Sequence, residues 1–215
     1  MKILVVVVTV VVMLAVIIAS TGLHSWEYQK SVDGIRYSRV RSEDHPSHGR
    51  ITIGRLADPV EIDGRIYRDW LHRREDGTIV GGLLAEDTIA GDLNIPAGTW
   101  VSFTADNDLR ACHFPKDQDI QGYRCRGTGG GGKGAVVSFY PSGRLKFFFS
   151  GTDITIRNIP CRGGLFSGIG LHEDGQLQTC TLAKSVTIYG RDLERGTRVH
   201  FTEDGVLTTP AGGAQ

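Results

Sequence analysis

The chain carries no net charge, with 24 Lys and Arg set against 24 Asp and Glu. No long-range field therefore draws it to nucleic acid or to an acidic membrane surface. It has no N-x-S/T sequon and so no acceptor for N-glycosylation. No G-x-S-x-G elbow and no Cys in a helix-start context are present, which removes the sequence support for nucleophilic catalysis. The Gly-rich nonapeptide that binds calcium in some solenoids is also missing. Seven prolines are few, whereas 29 glycines are about twice the usual share. Most of those glycines recur at fixed places, as turn residues of a repeated β unit do.

One long apolar run exists, from Ile3 to Ala19 behind Met1-Lys2, and it ends at Ser20-Thr21-Gly22. It is longer than a usual signal h-region and slightly shorter than a comfortable span. Residues 1–22 are read as a signal peptide or a signal anchor, an N-terminal hydrophobic helix that meets the membrane through residues 3–19. No Cys lies nearby, which excludes a lipoprotein anchor. Either reading leaves Lys2 inside and places the rest of the chain outside a bacterial-type cytoplasmic membrane, anchored there or secreted to the periplasm. Four cysteines then sit in an oxidising compartment.

From Asp76-Gly77 a turn pattern returns at Asp106-Asn107, Ser142-Gly143, Asp174-Gly175 and Asp204-Gly205, at spacings of 30, 36, 32 and 30 residues. Two positions beyond each pair stands an aliphatic residue: Ile79, Leu109, Leu145, Leu177 and Leu207. An alternating strand precedes each of the last four turns: Val101-x-Phe103, Val137-x-Phe139, Ile169-x-Leu171 and Val199-x-Phe201. Midway falls Ile-x-Gly at Ile89-Gly91, Ile120-Gly122 and Ile188-Gly190, with Ile156-x-Asn158 in the same place. Ile62-Asp63-Gly64 hints at a degenerate earlier copy. The alternation is the period of a half-buried strand, and D-G or S-G supplies a tight reversal. One hairpin buries too little to stand alone, so neighbours must stack.

The segments Val137–Phe149 (VSFYPSGRLKFFF) and Val199–Leu207 (VHFTEDGVL) resemble the hairpin repeats of MORN and YwqK-like proteins, over about residues 76–207. The unit here is longer and lacks the regular Tyr-Gly signature. The resemblance implies an interaction scaffold and carries over no functional residue. The predicted fold is all-β: an elongated tandem array of about 30-residue β-hairpin repeats. Residues 23–48 are polar and aperiodic and read as a tether, 49–75 as a degenerate first repeat or cap, 76–207 as the array and 208–215 as a tail. Apolar residues five apart (Ile79/Leu84, Leu109/Phe114, Leu177/Leu182) require a bulge or a corner. Corners at fixed places also suit a parallel β-solenoid, the alternative fold. Cys125 and Cys161 occupy the same place in neighbouring units. Solenoid coils would bring them within disulfide range, and a hairpin array would hold them roughly 10 Å apart.

Gly127 to Gly134 satisfies most of a phosphate-binding loop, but Gly134 replaces the magnesium-holding Ser/Thr and a strand pattern follows in place of a helix. It reads as an insertion, and no nucleotide, cofactor or metal is expected. His45 and His48 have no third ligand at recognisable spacing. In RIYRDWLHRR (Arg65–Arg74), Tyr67 and Trp70 stand among arginines, the residue types that anchor interfaces, although a cap over the array's open edge explains them too. The outward parity of the repeat strands adds Trp100, Tyr140, His172, Arg198 and His200 to the candidate partner surface. The expectation is a non-enzymatic extracytoplasmic binding or scaffold module whose partner is a protein or an envelope polymer. The alternatives are an envelope polymer hydrolase and a purely structural spacer.

Overall fold

A computed structural model describes residues 26–129 and 134–208; the leader, most of the glycine-rich insertion and the tail lie outside them. Among the described residues every regular element is a strand, and no helix is long and apolar enough to cross a membrane. The chain opens with β1 (Glu27–Val32), β2 (Ile35–His45), β3 (Gly49–Leu56), a short β4 (Val60–Ile62), β5 (Arg65–Arg74) and β6 (Ile79–Leu84). From there it alternates. A short hairpin, β7 (Thr88–Ala90) and β8 (Leu93–Ile95), precedes a longer pair, β9 (Trp100–Phe103) and β10 (Leu109–His113). The same order returns as β11 (Gln118–Ile120), β12 (Tyr123–Cys125), β13 (Val137–Phe139) and β14 (Leu145–Phe149). It returns again as β15 (Ile154–Ile156), β16 (Ile159–Cys161), β17 (Gly168–Leu171) and β18 (Leu177–Thr181). The last described strands are β19 (Val186–Ile188), β20 (Arg191–Leu193) and β21 (Arg198–His200).

The longer strands form one open antiparallel sheet in the order β1-β2-β3-β5-β6-β9-β10-β13-β14-β17-β18-β21, with β4 paired to the start of β5. The pairs β7-β8, β11-β12, β15-β16 and β19-β20 stand apart as two-stranded hairpins. All ladders between described strands are antiparallel, so the parallel coils of a solenoid do not form.

Each long hairpin closes in the same way. The N–H of Gly77, Asn107, Gly143, Gly175 and Gly205 donates to the carbonyl three residues back, at 2.9–3.3 Å. These five residues have φ between 67° and 90°, the left-handed position of a type I turn with a following bulge. The bulge explains the odd offset in the sequence. Register slips after the turn, between Leu109 and Ala111 and correspondingly between Leu177 and Thr179, which face Leu171 and Gly170. Core positions then fall at i, i+3 and i+5: Leu109, Cys112 and Phe114, then Leu177, Cys180 and Leu182.

The short hairpins lie over one face of the sheet. Ile120, Cys125, Ile156, Cys161 and Ile188 join Val101, Phe103, Val137, Phe148, Ile169 and Val199 in one buried cluster. Gln121-Gly122, Arg157-Asn158 and Tyr189-Gly190 are consecutive positive-φ pairs, the type I′ turn that a two-residue hairpin loop prefers. A carboxylate or hydroxyl fastens the base of each: Asp87, Asp117, Asp153 and Ser185 accept the N–H ten residues on, of Ala97, Gly127, Gly163 and Arg195. This sets the register at D-x-x-I and corrects one assignment. Ala90 takes the isoleucine's place in the first short hairpin, and Ile89, one residue early, is 76% exposed.

Two segments differ from the sequence reading. Residues 27–45, expected in a tether, form β1 and β2, and Tyr37 and Val40 are buried. A bulge between Tyr37 and Arg39 breaks their alternation and hides it from a periodicity count. Arg65–Arg74 is no end cap either, because β5 lies between β3 and β6 inside the sheet.

Asp117→Ala and Asp153→Ala are each expected to cost about 1 kcal/mol, since each frees a backbone N–H at a hairpin base. The costs should add because the sites are in different units; urea unfolding will read them as shifts in midpoint at constant slope. The turn carboxylates predict an acid dependence. Asp76 and Asp174 accept the N–H of Thr78 and Gln176 at 2.8 Å, which holds their pKa below the ordinary 3.8. Their folded pKa is depressed, so their contribution is complete above 3.8 and is lost as pH falls through the lowered value. Melting temperature below about pH 4 should fall less steeply in the Asp76→Asn/Asp174→Asn variant than in the native chain; equal slopes would contradict the assignment.

Candidate binding groove on the open sheet face

The face opposite the short hairpins has no second layer among the described residues, and at its N-terminal half it forms a groove of about 570 Å³. Its floor is read directly from the register. Ile53 pairs with His72, His72 with Gly81, Gly81 with Ser102 and Ser102 with Ala111, so one row of side chains crosses five strands. Ile51, Ile53 and Val80 are buried together in a small apolar cluster separate from the main core, with Trp26 and Trp70 packed against it. Trp100 forms the far wall, its ring meeting that of His72 edge-on at 4.9 Å. All three tryptophans of the chain line this one groove.

Gly81 keeps the middle of the floor bare for a steric reason. A Cβ there would lie 2.7 Å from the backbone carbonyl of Val101, closer than atoms of the neighbouring strand permit. Its neighbour Gly82 serves the other face, where the ring of buried Tyr67 fills the space a Cβ would need.

Charge surrounds the aromatic walls. The Arg39 guanidinium lies 5.2 Å from the Trp26 ring and 4.8 Å from the Trp70 ring, and Arg41 lies 4.8 Å from Trp26. Each contact is a cation–π interaction of about 0.5–1 kcal/mol at an exposed site. Arg41 is also paired with Glu43 at 2.7 Å. Arg110 is exposed, lines the same groove and forms no salt bridge among the described residues. His45 completes the rim, its ring tilted against that of His48 at 4.7 Å between centroids, and the His48 Nδ1 faces Arg74 at 3.1 Å. Burial, then the charges of His45, Arg74 and Arg110, hold His48 below its ordinary pKa of 6.5. No group of three metal-ligating side chains occurs among the described residues.

The candidates from the sequence separate into four places. Trp70 and Trp100 line the groove. Tyr67 is fully buried under the short-hairpin side and is no partner residue: it stands three positions from Trp70 on β5, and strand alternation turns the two to opposite faces. Tyr140 and His172 act as clasps between units: Tyr140 donates its hydroxyl to the Leu171 carbonyl at 3.0 Å, and His172 donates Nε2–H to the Phe201 carbonyl at 2.8 Å. His172 is only 7% exposed: it follows the end of β17 as the first residue of the turn, where the strand's outward parity no longer holds. Arg198 and His200 sit on β21 at the far edge, distant in strand order from the groove. Trp26, Arg41, Ile51, Ile53, His72, Val80 and Arg110 escaped the sequence reading. Asp33-Gly34, a type I′ pair between β1 and β2, and the alternation Ile51-x-Ile53 were the available signals.

The cysteines also depart from the expected pairing. All four are buried thiols. Cys125 bridges to Ser150 beyond β14 and Cys161 to Leu182 beyond β18, two strand steps or about 10 Å apart, so the Cys125–Cys161 bond does not form. Beyond the insertion Val137–Phe139 is strand β13 and not the helix whose terminus a phosphate-binding loop would use.

Gly81→Ala is expected to lower stability by about 1–3 kcal/mol, as overpacking does, and to distort the groove floor. A melting temperature equal to that of the native chain would show that the strands part freely there. No family model, curated protein or solved structure matches this chain.

Proposed function

We propose that this chain is a non-enzymatic binding module of the cell envelope, held on or released from the outer side of the membrane through residues 3–19, and that its open sheet face receives an extended segment of a protein partner. The observation that carries this reading is the convergence of all three tryptophans, three buried aliphatic side chains and an exposed arginine on one groove. Trp and Arg dominate the energetics of protein interfaces, and a groove of this size falls within the usual range for ligand clefts. The repeated hairpin plan and the MORN-like segments agree with a scaffold role.

A protein segment is favoured over an envelope polymer because arginines already lie over Trp26 and Trp70. A sugar ring stacks on an open aromatic face, whereas Arg39 and Arg41 lie over Trp26 and Arg39 over Trp70. The floor of Ile51, Ile53 and Val80 suits alternate apolar side chains of an extended strand, and Arg110 suits an acidic one. Catalysis has little to work with here, since Glu43 is engaged by Arg41.

The test is selection of random peptides displayed on phage against the purified full-length protein. Peptides with alternating apolar side chains and an Asp or Glu should be enriched and should change the tryptophan fluorescence on binding. Trp70→Ala, Trp100→Ala and Arg110→Ala should each weaken the best peptide by ~10-fold or more while circular dichroism stays native. Absence of enrichment, or affinities untouched by all three substitutions, would overturn the reading. Retention on a glycan array would favour the polymer alternative.

A further inference from the structure

Cys161 in β16 and Cys180 in β18 bring their sulfurs to 2.6 Å, inside the main core. Their backbones are fixed relative to each other by a local ladder. Arg162 donates its N–H to Thr181 at 2.7 Å, Ala183 donates to Pro160 at 2.8 Å, and Cys161 forms an isolated bridge with Leu182. The repeat shows why this pair differs from the rest. Cys125 and Phe148 stand in the corresponding places one unit earlier, and Ile95 and Cys112 one unit before that. Only the third unit has sulfur on both layers.

We infer that Cys161 and Cys180 form a disulfide that staples a short hairpin to the long sheet when the chain folds in an oxidising compartment. Two thiols lose two protons and two electrons in this step. A disulfide-bearing oxidant accepts them: one cysteine thiolate attacks its S–S bond and releases one thiol, and the second cysteine displaces the other. Both sulfurs are inaccessible in the folded protein, and the neighbouring Cys180 sulfur together with burial holds the Cys161 thiol well above its ordinary pKa. The bond therefore forms during folding, before the two layers close. Once made, it is shielded from reductant. Cys112 and Cys125 remain buried thiols; burial pushes Cys125 up to about 12. In the cell the bond rests on the extracytoplasmic reading, but the geometry does not.

The experiment refolds the reduced full-length chain from urea in detergent with oxidised and reduced glutathione. It then denatures the product in excess alkylating agent and maps peptides by mass spectrometry. A Cys161–Cys180 linked peptide with Cys112 and Cys125 alkylated is the expected result. Four alkylated cysteines, or a link through Cys125, would overturn the assignment. Reductant added with denaturant should lower the unfolding midpoint of the oxidised native chain and leave that of Cys161→Ala/Cys180→Ala unmoved; equal effects would count against the staple. The same map on protein isolated from cells separates the two ideas. A bond present after refolding but absent from cellular material upholds the pair and overturns the extracytoplasmic reading.

Discussion

The packing of short hairpins over a single face of the long sheet governs the rest of the molecule. A twelve-strand path of antiparallel pairs has two faces, and among the described residues the short hairpins cover one of them. The repeat spends its middle third on one face only. Isoleucines and cysteines at fixed places in the short hairpins descend onto the alternating Val, Phe and Leu of the sheet, and one continuous cluster results. The bulge after every long turn is part of the same arrangement. It brings the returning strand's apolar residues back to the covered face after a shift of one, so that Leu109, Cys112 and Phe114 all point inward.

Among the described residues nothing covers the second face, and its composition differs along the sheet. At the C-terminal half it carries Phe147 and Phe149 among small or polar residues, with Phe147, Gly170, Thr179 and His200 in one row. At the N-terminal half the same row reaches Ile53 and His72 beneath three tryptophans. Ile51, Ile53 and Val80 are buried on this face, in a cluster separate from the main core. Arg41 over Trp26 and Arg39 over Trp70 set positive charge against these aromatic walls.

The turn grammar was legible because turns are local. Asp-Gly and Ser-Gly pairs, and the aliphatic two positions later, marked each long hairpin correctly, for only Gly or Asn adopts that left-handed position cheaply. Ile-x-Gly marked the short hairpins except at Ile89, where a chance match one residue early outweighed the D-x-x-I register set by Asp87. Parity arguments failed at turns and bulges. His172, the first residue of its turn, became a clasp, and a bulge cost residues 27–45 the alternation that would have shown them to be strands; Tyr67, singled out by residue type alone, faces the core. The groove was half visible: Trp70 and Trp100 were singled out, but Trp26 and Arg41 lay in a segment read as a tether. Their meeting depends on β2 and β3 pairing from His45 to Tyr37, a long-range fact that composition does not hold.

The account turns on which face of the sheet meets a partner, and face-resolved crosslinking in living cells tests that most directly. A photo-reactive amino acid would replace His45 on the groove rim in one strain and Tyr189, at a short-hairpin turn on the covered side, in another. A discrete, saturable adduct from position 45 and none from position 189 is the predicted result. Adducts from position 189 alone, or equally from both, would contradict a binding site on the open face.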